Sequence, residues 1–144
     1  MSAYADTSFL YSLYVQQANS PTAAAYMAAH NVPLPLTTLG RFELLNAIRL
    51  SVFRDQLDRR TAAIDVQTIK EDIRSGILRL IGCDWPAIHS EAERLSAKYT
   101  AEAGHRSMDI LHVATALTAG ARDFLSFDRN QSRLARAEGL AVKP

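Results

Sequence analysis

Residues 106–117 (RSMDILHVATAL) place the strongest constraint on how this chain can fold. They are mostly good helix formers or small residues, Ser107 is predicted to be the N-cap, and Gly120 ends the predicted helix. Because this helix is apolar nearly all round, most of it should be buried. Asp109 lies in its first turn, and a carboxylate at the rim of a buried helix needs a partner, a proton or a metal ion.

The composition indicates a globular protein. The chain has 144 residues, of which 48% are hydrophobic, which suits one domain with a sizeable core. The net charge of +1 by itself favours neither nucleic acid nor membrane as a partner. Arginine far outnumbers lysine, a bias that suits phosphate ligands and is also common in sequences from GC-rich genomes. The single cysteine, Cys83, cannot form an intrachain disulfide and has no zinc-like spacing.

No apolar run approaches membrane-spanning length, and no basic-then-apolar leader opens the sequence. We therefore expect a cytoplasmic protein with no membrane partner. Along the chain, short strand candidates alternate with helices, and this alternation with short connections predicts a parallel sheet. The expected fold class is α/β, with a central parallel sheet flanked by helices and residues 1–144 forming a single domain.

Four acidic residues fall at similar places in this predicted architecture. Asp6 and Asp128 each follow a strand candidate, whereas Glu43 and Asp109 each lie in the first turn or so of a helix that follows a turn. Ligands of parallel sheets bind beyond the carboxyl ends of the strands, so all four carboxylates can gather at one rim. Asp128 and Gln131 also have the spacing of a capping box.

Crowded carboxylates repel one another and raise each other's pKa, and a hard divalent cation removes the problem. Mg²⁺ and Mn²⁺ prefer oxygen ligands, and metal-dependent phosphodiester hydrolysis is the chemistry that fits such a site. Each residue also has a purely structural interpretation. Asp6 and Asp128 suit N-caps, Asp109 suits the positive end of its helix, and Glu43 suits an ion pair with an arginine. His112 is expected to be a core residue, because a magnesium site has little use for imidazole.

Four segments resemble, in order, the acidic motifs of the PIN-domain family. The segment YADTSFL contains Asp6, FELLNA contains Glu43, RSMDILHVATAL contains Asp109, and FLSFD ends at Asp128 and is followed by AEGLAV. The resemblance spans nearly the whole chain, and the four motifs are specific only together. Ser126 stands where the family often has threonine before the last aspartate, so the hydroxyl is kept.

This resemblance implies a compact α/β fold with a central parallel sheet and the activity of a Mg²⁺- or Mn²⁺-dependent ribonuclease. The implied metal ligands and catalytic residues are Asp6, Glu43, Asp109 and Asp128. A free-standing domain of this size most resembles the VapC-type toxins of bacterial toxin–antitoxin pairs. Such toxins cleave RNA, usually dimerise, and are silenced by an antitoxin. The expected function is therefore the endoribonuclease toxin of a type II toxin–antitoxin system, hydrolysing RNA with a metal-activated water.

The same resemblance suggests supporting roles for polar residues near the acidic motifs. Thr7, Ser8 and Ser126 are expected to position carboxylates or water by hydrogen bonds, and Arg106 is a candidate contact for an RNA phosphate. The expected partners are an RNA substrate, a cognate antitoxin and a second copy of the chain.

Three other functions are alternatives to this hypothesis. One is a PIN-type nuclease of RNA processing unrelated to toxin–antitoxin pairs, and another is a catalytically silent binding module. The third is a phosphorylatable receiver-type domain, which also has a parallel sheet with carboxylates at its rim. That class needs a pair of acids after the first strand and a lysine after a late strand. Asp6 has no acidic neighbour, and Lys143 lies at the end of the sequence.

Overall fold

A computed structural model describes residues 1–144 as an α/β protein whose strands pair only in parallel, which confirms the predicted fold class. In chain order the elements are β1 (Ala3–Ala5), α1 (Thr7–Tyr14), α2 (Ser20–His30), β2 (Leu34–Leu36), α3 (Thr38–Phe53), α4 (Arg59–Ser75), β3 (Leu78–Leu80), α5 (Trp85–Leu95), a π-helical turn (Ser96–Thr100), α6 (Ala101–Ala103), α7 (Ser107–Thr118), β4 (Asp123–Leu125), α8 (Arg129–Ala137) and β5 (Ala141–Lys143). None of these helices is long and apolar enough to cross a bilayer.

The chain divides into two compact units. The first consists of Met1–Asp6 and Gly82–Pro144, and the second of Thr7–Ile81. Each unit has its own ladder of parallel strands, in the order β1-β4-β5 in the first unit and β2-β3 in the second. That residues 1–144 act as one domain stays a prediction.

In the first unit, β4 is the central strand and pairs with β1 on one side and β5 on the other. Helix α7 packs against α5 and α8, and its apolar residues reach the core of this unit. The core of the first unit includes Tyr4, Ile88, Val113, Phe124 and Leu134. Burial of one helix among two others and a sheet explains why α7 is apolar nearly all round.

His112 on α7 is a core residue, as predicted. Only 3% of its surface is exposed, and its Nδ1 is hydrogen-bonded to the Tyr4 hydroxyl over 2.8 Å. The Tyr4 ring stacks on Phe124 of β4, with the ring centroids 5.9 Å apart. A buried imidazole with a hydrogen-bond partner is stable in an apolar core, and this contact ties β1 to α7.

The prediction that Ser107 caps α7 is wrong. Arg106 occupies the N-cap position with extended backbone and makes no side-chain cap bond, and Ser107 is the first helical residue. The chain enters the helix one residue earlier than predicted, and the Arg106 side chain reaches forward to Asp109 instead. The end of the helix agrees with the prediction, because Gly120 follows the C-cap with φ of +71°.

In the second unit, the prolines of the segment PLPLT (residues 33–37) predict that the strand proper begins after Pro35, and this prediction is also wrong. Pro35 is the middle residue of β2 and stands opposite Arg79 of β3. The hydrogen bonds between β2 and β3 are made by the residues on either side of Pro35. Leu34 N–H donates to the Ile77 carbonyl, and the Leu36 carbonyl accepts from Ile81 N–H, each over 3.0 Å. In a parallel pair, alternate residues face the neighbouring strand, so the missing N–H of this proline falls on the side without a partner strand.

By residue type Thr38 is predicted to cap α3, but the helix is capped by Thr37. Thr37 has extended backbone, and its hydroxyl accepts a hydrogen bond from Gly40 N–H over 2.8 Å. A side chain at position 40 would place its Cβ 3.2 Å from this hydroxyl, so glycine lets the cap close tightly. The amphipathic pattern of residues 66–76 predicts a helix that starts at Val66. Helix α4 begins seven residues earlier, at Arg59, because Asp58 caps it by accepting from Thr61 N–H over 2.9 Å.

Glu138 ties the end of α8 to α5 and the π-helical turn. Its carboxylate accepts hydrogen bonds from Arg94 over 2.6 Å and from the Tyr99 hydroxyl over 2.7 Å, and Lys98 lies 3.6 Å away. The hydrogen bond from Arg94 is the largest of the effects that lower the pKa of Glu138 below its ordinary value of 4.5. The network therefore favours the ionised carboxylate in the folded protein.

A group whose pKa is lowered by folding contributes stability above its unfolded pKa and loses it as the pH falls. We expect the free energy of unfolding to decrease as the pH drops below about 4.5, and the variant Glu138→Gln to show a shallower decrease. Urea denaturation between about pH 6 and about pH 3 measures both slopes. Glu93→Gln, which changes an exposed glutamate of α5, is the matched control. Equal slopes for wild type and Glu138→Gln would contradict this assignment.

Candidate active site

Asp6 and Ser126 lie side by side just beyond the carboxyl ends of β1 and β4. The last paired residues of these strands are Ala5 and Leu125, and Asp6 N–H extends the ladder by donating to the Leu125 carbonyl over 3.0 Å. The Ser126 hydroxyl donates to Asp6 Oδ2 over 2.5 Å, although the two residues are 120 positions apart. Both side chains are buried, so this short charge-assisted bond fixes the direction of the Asp6 carboxylate.

Asp128 is held by the same serine. Ser126 Oγ accepts a hydrogen bond from Asp128 N–H over 3.0 Å while it donates to Asp6. Asp128 in turn caps α8, because its Oδ1 accepts from Gln131 N–H over 2.8 Å. The predicted cap at Asp128 is therefore present, and it leaves the second carboxylate oxygen, Oδ2, outside the cap bond.

Gln131 connects Asp128 to Asp109 and was not predicted as a site residue. Its side-chain amide donates to Asp109 Oδ1 over 3.1 Å, while its backbone N–H makes the cap bond to Asp128. In a capping box the glutamine side chain would turn back to the N–H of the cap residue. Here Ser126 already occupies the Asp128 N–H, which leaves the Gln131 amide for Asp109. The serine two positions before the cap residue is the sequence signal that could have indicated this.

Asp109 projects from the first turn of α7, and only 3% of the residue is exposed. Arg106, three residues earlier, places its Nε 3.1 Å from Asp109 Oδ2, whereas 76% of the Arg106 side chain is exposed. The positive end of the α7 dipole also favours a carboxylate here. A buried carboxylate thus has one exposed cation and one buried amide as partners.

These contacts bring three of the four predicted acidic residues together. Asp6, Asp109 and Asp128 all belong to the first unit and are joined through Ser126 and Gln131. The fourth, Glu43, lies half-buried on α3 in the second unit. Its membership of the same site stays a prediction.

The donor set suits a hard cation. It consists of carboxylate oxygens and of Gln131 Oε1, which is buried without a hydrogen-bond partner. Mg²⁺ and Mn²⁺ prefer such oxygen ligands, and Mg²⁺ commonly binds through one or two carboxylates and keeps several waters. No group of three or more His, Cys, Asp or Glu side chains is arranged to hold a metal ion by itself. That these aspartates hold a metal ion stays a prediction.

The bond between Ser126 and Asp6 can be measured by a double-mutant cycle in metal-free buffer. We expect Ser126→Ala to lower the free energy of unfolding by about 1.5–3 kcal/mol, because a buried carboxylate loses a donor. In the Asp6→Asn background the same substitution should cost about 1 kcal/mol less, because the charge is gone. Urea denaturation gives all four values. Ser132→Ala, at another buried serine of the same unit, is the control, and additive effects would contradict the coupling.

Comparison with known proteins identifies the fold. No protein-family model and no curated protein matches the sequence. Among solved structures, VapC20 of Mycobacterium tuberculosis, described as a sarcin–ricin loop cleaving toxin, is 20% identical, with a TM-score of 0.68 over 99% of this chain and 100% of that one. PAE2754 of Pyrobaculum aerophilum is 17% identical, with a TM-score of 0.66 over 99% and 89% of the two chains. FitAcB of Neisseria gonorrhoeae is 16% identical, with a TM-score of 0.60 over 99% and 96%. The chain therefore has the PIN-domain fold of VapC-type proteins.

Proposed function

We propose that this chain is a metal-dependent endoribonuclease that acts as the toxin of a type II toxin–antitoxin pair. The observation that carries the proposal is the cluster of Asp6, Asp109 and Asp128, joined through Ser126 and Gln131 at the carboxyl end of a parallel sheet. Ligands of such sheets bind at this edge. The likeness of the fold to VapC20, a toxin described as cleaving the sarcin–ricin loop, supports RNA as the substrate.

In this proposal the three aspartates, together with Glu43, hold Mg²⁺ or Mn²⁺. When bound, the ion neutralises charge that develops on the phosphodiester and makes a water molecule more acidic. The residues of the chain itself hold the carboxylates in position. Ser126 fixes Asp6 and Gln131 fixes Asp109, so neither buried carboxylate has to reorient when a cation arrives.

Arg106 has a separate role in the proposal. It balances the charge of Asp109 across 3.1 Å, but most of its side chain is in solvent. An arginine at the rim of the site can exchange a carboxylate for an RNA phosphate, because both anions accept its paired N–H donors. Arg106 thus screens Asp109 before substrate binds and contacts the RNA afterwards.

The proposed antitoxin and the second copy of the chain both need an apolar docking surface. The second unit exposes several large apolar side chains on α3, where Phe42 is 67% and Phe53 84% exposed, together with Leu50. Exposed apolar clusters of this kind mark protein–protein contacts. We propose that the antitoxin covers these apolar side chains of α3, the helix that also carries Glu43.

Asp109→Asn should lower Mg²⁺- or Mn²⁺-dependent cleavage of RNA at least about 100-fold, because it removes one carboxylate charge of the cluster while keeping the shape of the side chain. Cleavage of a labelled single-stranded RNA, with EDTA as the metal-free reference, measures the loss. Mn²⁺ should also raise the Tm of the wild type more than that of the variant, because a bound ion stabilises the folded state by mass action.

Asp123→Asn is the matched control, since Asp123 begins β4 at the opposite end of the strand and pairs with Lys143 over 3.0 Å. We expect this control to cleave RNA like the wild type, with an unchanged far-UV circular dichroism spectrum in both variants. Full activity of Asp109→Asn would contradict the proposed site. A wild type that binds Mn²⁺ but turns over no RNA would instead indicate a silent binding module.

Expression of the wild type in a bacterial host should arrest growth, whereas expression of Asp109→Asn should not, because the toxin acts by cleaving RNA of the cell. Co-expression of the protein encoded by the reading frame next to this gene should restore growth. Optical density after induction measures both effects. Normal growth together with RNA cleavage by the purified protein would point to a nuclease of RNA processing.

A further inference from the structure

A cleft of about 400 Å³ lies in the first unit beside the aspartates. Its walls are Ser126 and Phe127 after β4, one face of α8, and the end of β5 with Val142 and Pro144. Three arginines of α8 line it, namely Arg129, Arg133 and Arg136, and none of the lining side chains is acidic. We call it the α8 cleft.

The three arginines form one stripe along the helix. Their spacing of four and then three residues places them on the same face of α8, and all three are exposed. None of their side chains makes an ion pair or hydrogen bond in the structure. Glu138, the acidic residue that follows α8, is already engaged by Arg94 and Tyr99.

This arrangement works against the stability of α8. Like charges one turn apart repel each other, and Arg129 lies in the first turn, where the helix dipole is unfavourable for a cation. No acidic side chain lines the cleft to offset these effects. A helix face that carries positive charges although they destabilise the helix indicates an anionic ligand.

The α8 cleft meets the aspartate cluster at one residue, Ser126. Ser126 lines the cleft, and its hydroxyl also contacts Asp6 and the backbone of Asp128. From this end the arginines run along α8 for about 10 Å, given the 1.5 Å rise of each helical residue. A ligand that begins at the aspartates and follows the stripe must be extended and must carry repeated negative charge.

We propose that Arg129, Arg133 and Arg136 hold the phosphate backbone of single-stranded RNA on one side of the scissile bond. The proposal rests on the proposed function for the identity of the substrate. Arginine suits the role because its planar donors bind phosphate in a bidentate manner. Phe127, which is half-buried, also lines the cleft, and aromatic residues commonly contact the bases of single-stranded RNA.

The test measures RNA binding without cleavage. A short fluorescein-labelled single-stranded RNA is titrated with the full chain in EDTA, and fluorescence anisotropy gives the affinity at several salt concentrations. For single strands, each phosphate contact contributes about 0.7 to the slope of log K against log salt. Arg133→Gln should therefore reduce the slope by about 0.7, and the triple glutamine variant by about 2. Between about 50 and about 200 mM salt, the wild type should lose about 16-fold more affinity than the triple variant.

Arg122→Gln is the matched control, because Arg122 is an exposed arginine that precedes β4 and does not line the α8 cleft. It should leave both the affinity and the slope unchanged, and thermal denaturation should show that every variant is folded. Variants of the cleft that bind RNA as Arg122→Gln does would overturn the inference. So would a wild type that binds polyglutamate through these arginines but does not bind RNA. Arginine-dependent RNA binding by a chain that never cleaves RNA would support the cleft while refuting the proposed function.

Discussion

The hydrogen bond between Ser126 and Asp6 is the contact on which the candidate site depends. It exists because β1 and β4 pair in parallel with Ala5 opposite Leu125, so the next residue of each strand falls beside the other. Strand β4 lies between β1 and β5, which leaves its register little freedom. A shift of one residue would turn Asp6 to the other face of the sheet and separate it from the serine.

From this serine, a chain of hydrogen bonds reaches all three aspartates. Ser126 holds Asp128 by its N–H, Asp128 caps α8, and Gln131 extends from the cap to Asp109. Asp6, Ser126, Asp109 and Gln131 are buried, so these hydrogen bonds restrict the directions of their side chains. The same helix that carries Gln131 presents the arginine stripe on its exposed face. Helix α8 therefore carries both a residue that holds Asp109 and the arginines proposed to bind RNA.

Local signals in the sequence predicted many elements, but they misplaced some of the element boundaries. The cap at Asp128 and the end of α7 at Gly120 follow from residue types within a few positions, and the structure contains both. Ser107 has the right residue type for a cap, but the chain enters α7 one residue before it. Pro35 is excluded from most strands, yet it is tolerated in β2 because its nitrogen faces away from β3. Both failures concern the direction of the backbone, which residue type does not determine.

The sequence by itself determined the α/β class, the order of the four acidic motifs and the burial of α7, because these depend on hydrophobic period and on residues close in the chain. Only the tertiary structure decided which side chains bond to the carboxylates. Gln131 reaches Asp109, and not the start of its own helix, because Ser126 takes the competing N–H. Such competition between hydrogen-bond partners distant in sequence is settled only when strands and helices have packed.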